Sequence, residues 1–245
     1  MIDEEFDRLV DRAWPATGRV QAGSWTLRTA DGVTKRANSV LPLGEREDLE
    51  AAVGEAERFY AGRGLPCVFS VGMGATPGLD ALLEARGYRV ADPTLIMTRP
   101  LAPAVPDGEP AVPGGESSAG VTLATAPDRR WLDVWWSVDG RYGEGVEKAE
   151  RILTGVPAVY ASLDGEAVGR GVPQGGWLGV YCMATLPHAR GRGHGRRLLN
   201  ALLSHGREQG ADRAYLVVVE SNTVARSLYE RLGFTVSGRY HYRVR

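Results

Sequence analysis

The chain predicts an α/β fold with a mixed sheet, built in two halves of unequal length. Three observations carry this expectation. Apolar runs of strand length alternate with amphipathic runs of helix length over most of the 245 residues. A stretch rich in Pro, Gly, Ala and Ser, Pro100 to Gly120, interrupts the alternation as a linker would. Two stretches on either side of that linker echo each other: "GLPCVFSVGMGATPGLDALLEARGY" from Gly64 and "GADRAYLVVVESNTVARSLYERLGF" from Gly210.

The echo is gapless, since Gly64 to Gly87 and Gly210 to Gly233 are the same 23 positions apart. Leu82/Leu228, Glu84/Glu230, Tyr88/Phe234 and Val90/Val236 fall in register, and "SVLP" ending at Pro42 echoes "ATLP" ending at Pro187. A period of more than about 100 residues indicates a duplicated domain rather than a solenoid. The expected division is residues 1–100, a linker over 101–120, and residues 121–245.

In chain order, the first half reads as a helix near its start, then a hairpin "WTLRT-ADG-VTKRANSV", then helix, strand, helix and closing strands. The second half opens with a strand at Val121–Thr125. Two helices follow, "PDRRWLDVWWSV" and "EGVEKAERILTG", the second closed by Gly155. "AVYASL-DG-EAVGRGV" is a hairpin with Asp164-Gly165 at its turn. "WLGVYCMAT" is apolar enough for a strand covered on both faces. "GRRLLNALLSHGREQG" sets Leu198, Leu199, Leu202 and Leu203 on one helical face. "AYLVVVE" is a second buried strand, "NTVARSLYERLGF" a helix closed by Gly233, and "FTVSG" and "RYHYRVR" are final strands.

Apolar residues make up 43% and charged residues 24%, the balance of an ordinary globular protein. The formal net charge of −1 argues against a general field for nucleic acid or membrane, so neither partner is expected. "MIDEEFDRLV" has no apolar signal core and no run of about 18 apolar residues exists, which makes cytoplasm the default. Cys67 and Cys182 lie in apolar runs and read as reduced, buried thiols. No metal is expected, and the oligomeric state is not legible.

Any anion site must therefore be local, and "RGRGHGRRLL", Arg190 to Leu199, is the candidate. It follows a buried strand and opens a helix. Helix starts carry unpaired N–H groups and partial positive charge. Glycines let those N–H groups approach a ligand, and arginines add charge-assisted bonds, so the combination suits a diphosphate. A dinucleotide fingerprint starting at Gly191 requires glycine or alanine at position 196, where Arg196 stands. No P-loop Gly-Lys-Ser/Thr is present. Coenzyme A remains.

"MATLPHARGRGHGRRLLNALL" followed by "VVESNTVARSLYERLGF" resembles the GNAT superfamily of acyl-CoA-dependent N-acyltransferases. The family's pyrophosphate loop, Arg/Gln-x-x-Gly-x-Gly/Ala, is matched by Arg190, Gly193 and Gly195. Its later motif is matched by Asn222, Tyr229, Gly233 and Phe234. The resemblance spans about Val121 to Arg245, and the overall layout is similar to tandem-GNAT proteins in which one half is active.

The resemblance implies a GNAT fold in the second half and a shorter, degenerate GNAT-like first half. It implies acetyl-CoA as co-substrate and transfer of an acetyl group to a primary amine of a small molecule or peptide, directly in a ternary complex. The strand backbone at Met183, Ala184 and Thr185 would bond the pantetheine arm. The N–H groups of Arg190, Gly191, Arg192, Gly193, His194 and Gly195, with the Arg192 and Arg196 side chains, would hold the pyrophosphate. Asn222 would contact the cofactor arm, or cap the helix that it precedes. Tyr229 resembles the acid that protonates the departing thiolate; a phenol with a pKa near 10 keeps its proton at neutral pH.

The base is open, because the glutamate that many family members carry on the strand before the loop has no counterpart in "WLGVYCMAT". Glu220 is the expected base, with Tyr181 or a water relay as alternatives. Trp135, Trp136, Asp139, Tyr142 and Glu144 are candidates for the acceptor pocket, and Arg36 and Asn38 on a "TKRANS" strand are an alternative acceptor contact or a polar sheet face. In the first half Thr76 stands where Asn222 does and Leu83 where Tyr229 does. The stretch after Pro42, "LGEREDLEAA", is acidic, so no acyl-CoA is expected there. The missing carboxylate also leaves open a non-catalytic acyl-CoA-binding regulatory module.

Overall fold

The computed structural model describes residues 2–101, 118–139 and 145–245. The expected linker falls mostly on residues 102–117, outside the described residues. The first half folds as α1 (Ile2–Ala13), β1 (Gly18–Ala22), β2 (Trp25–Thr29), β3 (Val40–Leu41), α2 (Leu49–Ala61), β4 (Val68–Val71), α3 (Leu79–Ala85) and β5 (Arg89–Pro100). The second half folds as β6 (Val121–Ala124), α4 (Arg129–Asp139), α5 (Val146–Leu153), β7 (Val159–Leu163), β8 (Ala167–Gln174), β9 (Trp177–Thr185), α6 (His194–Glu208), β10 (Arg213–Val219), α7 (Thr223–Arg231) and β11 (Thr235–Val244).

All the strands join one mixed sheet in the order β1-β2-β3-β4-β11-β5-β10-β9-β8-β7-β6. The last strand of each half lies in the other half's territory. β5 runs antiparallel between β10 and β11, and β11 runs antiparallel between β4 and β5. Leu95, Ile96 and Met97 on β5 are fully buried at this seam.

Period-two alternation divides the strands between two layers of helix. On one face, α1, α4 and α5 cover an aromatic cluster that includes Phe6, Trp14, Trp131, Trp135, Trp177, Tyr181 and Tyr215. Hydrogen bonds fix α1 over the second half's strands: Arg170 Nη1 donates to Ala13 O (2.9 Å), Gln174 Nε2 and the Tyr215 hydroxyl to Leu9 O (3.0 and 3.1 Å), and Trp177 Nε1 to Glu5 Oε1 (3.0 Å). On the other face, the predicted leucine stripe of α6 packs on Leu178, Val180, Leu216 and Val218, and α2 and α3 cover Trp25, Phe69 and Tyr88. No helix among the described residues is long and apolar enough to cross a membrane.

Four local expectations need correction. The "VTKRANS" arm of the predicted hairpin is not a strand. β2 pairs instead with β1, through a turn at Gly23-Ser24, and with β3, while Lys35–Ala37 forms a short 3-10 turn. The cause is Asn38, whose amide accepts from Ala30 N and Gly32 N and donates to Val33 O and Thr34 O, giving the loop's backbone partners that no ladder supplies. The two final strands are one, β11, with a register shift beside Gly238. Gly155 does not close α5 in a left-handed conformation; Thr154 ends that helix in the right-handed region. Neither cysteine forms a disulfide, and both are only half-buried.

Candidate active site

β9 and β10 pair in parallel from Arg213/Trp177 to Leu216/Val180, and the ladder stops there. Beyond that point β9 carries a bulge. Cys182 has φ 54°, and the β8–β9 register shifts between Val168 and Arg170. Tyr181 and Cys182 both turn to the α1/α4 face, while Met183 packs toward α6. A bulge adds one residue and sharpens the local twist, so the strands diverge. The gap is a cavity of about 420 Å³ whose walls include Val180 to Ala184 on β9, Val217 to Val219 on β10, and Tyr229 and Asn222 from α7. An apolar run gives no sign of such a bulge, because its cause is a mismatch with the neighbouring strand.

β9 delivers the chain into the glycine-arginine loop. A 3-10 turn at Pro187–Ala189 precedes Arg190, and Gly193 caps α6 in the left-handed conformation, φ 80°. Gly191 is left-handed too, φ 78°. A Cβ on either glycine would meet nothing within 4 Å, so the space above the loop is open. Gly195 serves packing instead; its Cβ would stand 3.2 Å from Leu228 Cδ2 on α7. No acidic residue occupies the first turn of α6. Arg190, Gly191, Arg192, Gly193 and Arg196 are exposed, and Arg190 reaches the cavity wall while its Nε donates to Thr185 O (3.3 Å). Thr185 is half-buried at the end of β9, outside the described lining. The loop has the open N–H face and local positive charge that a phosphate needs.

One carboxylate stands beside this loop. Glu166, in the β7–β8 turn, is 3.2 Å from His188 Nε2, 3.4 Å from His194 Nε2 and 3.5 Å from Arg192 Nη1. Burial pulls its pKa upward, but the hydrogen bonds to His188 and His194 and the Arg192 charge outweigh that and hold it below the usual range. His194 is itself buried at the helix start.

Tyr229 is buried in the cavity wall, with its ring edge-on to Phe234 at 6.2 Å. Burial pushes its pKa up to about 12, so the phenol holds its proton well above neutrality. Asn222 is the N-cap of α7, its Oδ1 accepting from Ala225 N at 3.1 Å, and it also lines the cavity. Glu220 is exposed one residue past the lining residue Val219, and its N–H donates to Pro93 O at 2.7 Å. Tyr181 is buried with its hydroxyl 2.9 Å from that of Tyr215, and burial raises its pKa.

The opposite wall comes largely from the first half: Trp14, Thr34, Lys35, Arg36, Asp92 and Thr94, joined by Tyr240 and Tyr242 of β11 and Trp135 of α4. Of the residues expected at the acceptor end, Trp135 and Arg36 line the cavity. Trp136 is half-buried beside Trp135 outside the described lining. Asn38 is buried holding its own loop. Tyr142 and Glu144 and the side chain of Asp139 lie outside the described residues.

Sequence reasoning missed Trp14, Asp92 and the two tyrosines. Asp92 left a trace in the Asp-Pro dipeptide that interrupts β5, and it has φ 46°. It is the only carboxylate among the described lining residues, and it binds Lys35 Nζ at 3.0 Å.

A family model described as "Probable histone acetyltransferase Rv0428c C-terminal" matches residues 7–243. The chain is 28% identical to the uncharacterized N-acetyltransferase YobR of Bacillus subtilis, over 98% of each chain. It is 30% identical to the probable histone acetyltransferase Rv0428c of Mycobacterium tuberculosis, over 94% of this chain and 70% of that one. A solved GCN5-related N-acetyltransferase from Kribbella flavida shares the fold, with a TM-score of 0.64 and 18% identity over 97% of this chain and 94% of that chain.

Proposed function

This chain belongs to the family of the Rv0428c C-terminal region, within the GNAT N-acetyltransferases, and from that premise we propose that it moves an acetyl group from acetyl-CoA to a primary amine of a small molecule or peptide. An acyltransferase of this family uses an acyl-CoA as co-substrate. The observation that carries the finer reading is the open wedge between β9 and β10, which runs from the glycine-arginine loop to Tyr229. Direct transfer within a ternary complex suits a cavity that receives walls from both halves.

In this reading Gly191, Gly193 and their neighbours hold the pyrophosphate through backbone N–H groups, and Arg190, Arg192 and Arg196 add charge from the exposed side. Met183, Ala184 and Thr185 lie beyond the last β9–β10 pair and turn the strand edge that β10 has left toward the pantetheine arm, and Asn222 meets it from the start of α7. The amine nitrogen attacks the thioester carbonyl, a C–N bond forms, the C–S bond breaks, and Tyr229 supplies the proton that the departing sulfur takes up. The amine's own surplus proton leaves toward Glu220, whose backbone N–H bonds Pro93 O next to the lining residue Asp92. The division at residues 101–120 separates a first half without its own cofactor site from the half that holds the co-substrate.

The test is release of free thiol from acetyl-CoA in the presence of a panel of amines. Turnover with at least one amine is expected. Tyr229→Phe should lower kcat about a hundredfold with little change in acetyl-CoA affinity, in the range for loss of a general acid. Binding of acetyl-CoA with no thiol release from any amine would overturn the reading.

A further inference from the structure

Three arginines gather near α1: Arg28 and Arg170 are buried, and Arg36 is half-buried in the cavity wall. Arg28 binds Asp11 Oδ1 (2.9 Å), Ser39 O (3.0 Å) and Ser39 Oγ (2.7 Å). Arg170 donates to Ala13 O (2.9 Å) and Leu153 O (2.7 Å) through its two Nη atoms, and its Nε is buried without a partner. Arg36 alone of the three lines the cavity, and among the described residues it makes a single side-chain hydrogen bond, from Nη2 to the Tyr240 hydroxyl at 3.2 Å, with its Nε buried without a partner. A guanidinium has five N–H donors and never loses its charge in a protein.

The surroundings of Arg36 fix its head in place. Its Cζ lies 5.2 Å from the Trp14 ring centroid and 5.5 Å from that of Tyr181, and the 3-10 turn under it is pinned by the Asn38 amide. Among the described residues no carboxylate pairs with it. Asp92 in the same wall is engaged by Lys35. Arg170 approaches the Trp14 indole as well, at 5.8 Å, and it too has no carboxylate partner among the described residues. This end of the cavity therefore carries surplus positive charge. It is separate from the phosphate loop, since Tyr181 lies ahead of the β9 bulge and the loop lies after its end.

We infer that Arg36 is the anchor for an anionic group on the acceptor, and that the acceptor is an amine bearing a carboxylate. The inference rests on the amine-acyltransferase reading and deepens it. A diamine or a basic peptide would bring a second cation against Arg36 and Arg170, with little desolvated negative charge to receive it. A carboxylate would take the planar fork of Arg36 and complete its donors, placing a short-chain amine toward Tyr181 and the bulge. Arg36 is then a specificity-determining residue contributed by the first half.

The experiment compares matched amines with and without the carboxylate: lysine against cadaverine, and phenylalanine against phenethylamine. Phosphoethanolamine against ethanolamine serves as a phosphate arm. The wild-type kcat/KM is expected to favour the carboxylated member by about tenfold or more, the scale of a charge-assisted hydrogen bond. Arg36→Met, which keeps the apolar stem between Trp14 and Tyr181, should bring that ratio close to one by raising KM for the carboxylated member alone. Calorimetric titration of the same amines onto the protein saturated with free CoA should show the same preference and the same loss.

A wild-type preference for the decarboxylated members, a preference confined to the phosphate, or an unchanged ratio in Arg36→Met overturns the inference. If Arg36→Met fails to bind acetyl-CoA, its fold is disturbed, and the wild-type ratio with Arg36→Lys decides instead. If acetyl-CoA binds and no amine turns over, the acyltransfer reading fails, and the calorimetric arm alone decides whether the carboxylate site exists.

Discussion

The two halves contain the same cleft in opposite states. In the second half β9 and β10 part after Val180, and the gap stays open down to the glycine loop. In the first half the parallel pair is β3 and β4, joined at Val40/Phe69, and the equivalent gap is plugged. Thr76, which stands where Asn222 stands in the repeat, donates toward Pro42 O (3.0 Å) and Gly44 O (2.6 Å) and accepts from the buried Trp25 indole N–H (2.8 Å). Leu43 and Ala75 add a bridge across the same gap. The helix starts differ as well. Gly193 caps α6 with open space above it. Asp48 caps α2 with its own carboxylate, which accepts from Ala51 N at 2.8 Å, and Glu50 follows in the first turn. One fold element thus stands open as a cleft or closed as solid core according to whether side chains fill the gap between its strands.

The comparison can be broken most severely at the shared seam. Residues 121–245 alone would leave β10 and β11 without β5 between them and would lack α1 over the aromatic cluster. That fragment is expected to show no cooperative unfolding transition by calorimetry, whereas a cooperative melt near that of the full chain would mean that the strand exchange is dispensable.

Filling the open cleft should act on binding. Gly193→Val places a β-branched residue at φ 80° with its side chain over the loop, and acetyl-CoA affinity is expected to fall about a hundredfold or more in calorimetric titration. Survival of binding would remove the loop from the site.

Unplugging the closed cleft should act on stability alone. Thr76→Val strands the Trp25 indole N–H in the core and is expected to cost about 1–3 kcal/mol in urea unfolding while acetyl-CoA titration stays unchanged. A change in acetyl-CoA affinity would show that the plugged cleft is not inert.

The smallest expected effect comes from Glu166, the carboxylate beside the open loop. Glu166→Gln should tighten acetyl-CoA binding about threefold at low salt, with the gain shrinking as salt rises. Because its pKa is held low, Glu166 is charged throughout the neutral range, so the gain should be flat above about pH 6 and vanish as the wild-type carboxyl is protonated in acid. Weaker binding in the variant would mean that Glu166 orders His188 and Arg192 rather than opposing the phosphates.

Sequence and tertiary structure contributed different kinds of information. The α6 leucines, the Asp164-Gly165 turn and the left-handed Gly193 and Gly233 were legible because each follows from local periodicity or local backbone preference. The same holds for the Asn222 cap and for the acidic start of α2. Three features were not. The Cys182 bulge depends on register with β8, the exchange of β5 and β11 on pairing across the whole chain, and the "TKRANS" loop on five backbone contacts that one amide gathers in space. The family motif and the local chemistry of the glycine-arginine loop were thus determined by residue types at fixed spacing. The wall facing that loop, with Arg36, Asp92, Tyr240 and Trp14, was decided only by the fold, because non-local pairing brings those residues together from segments more than two hundred positions apart.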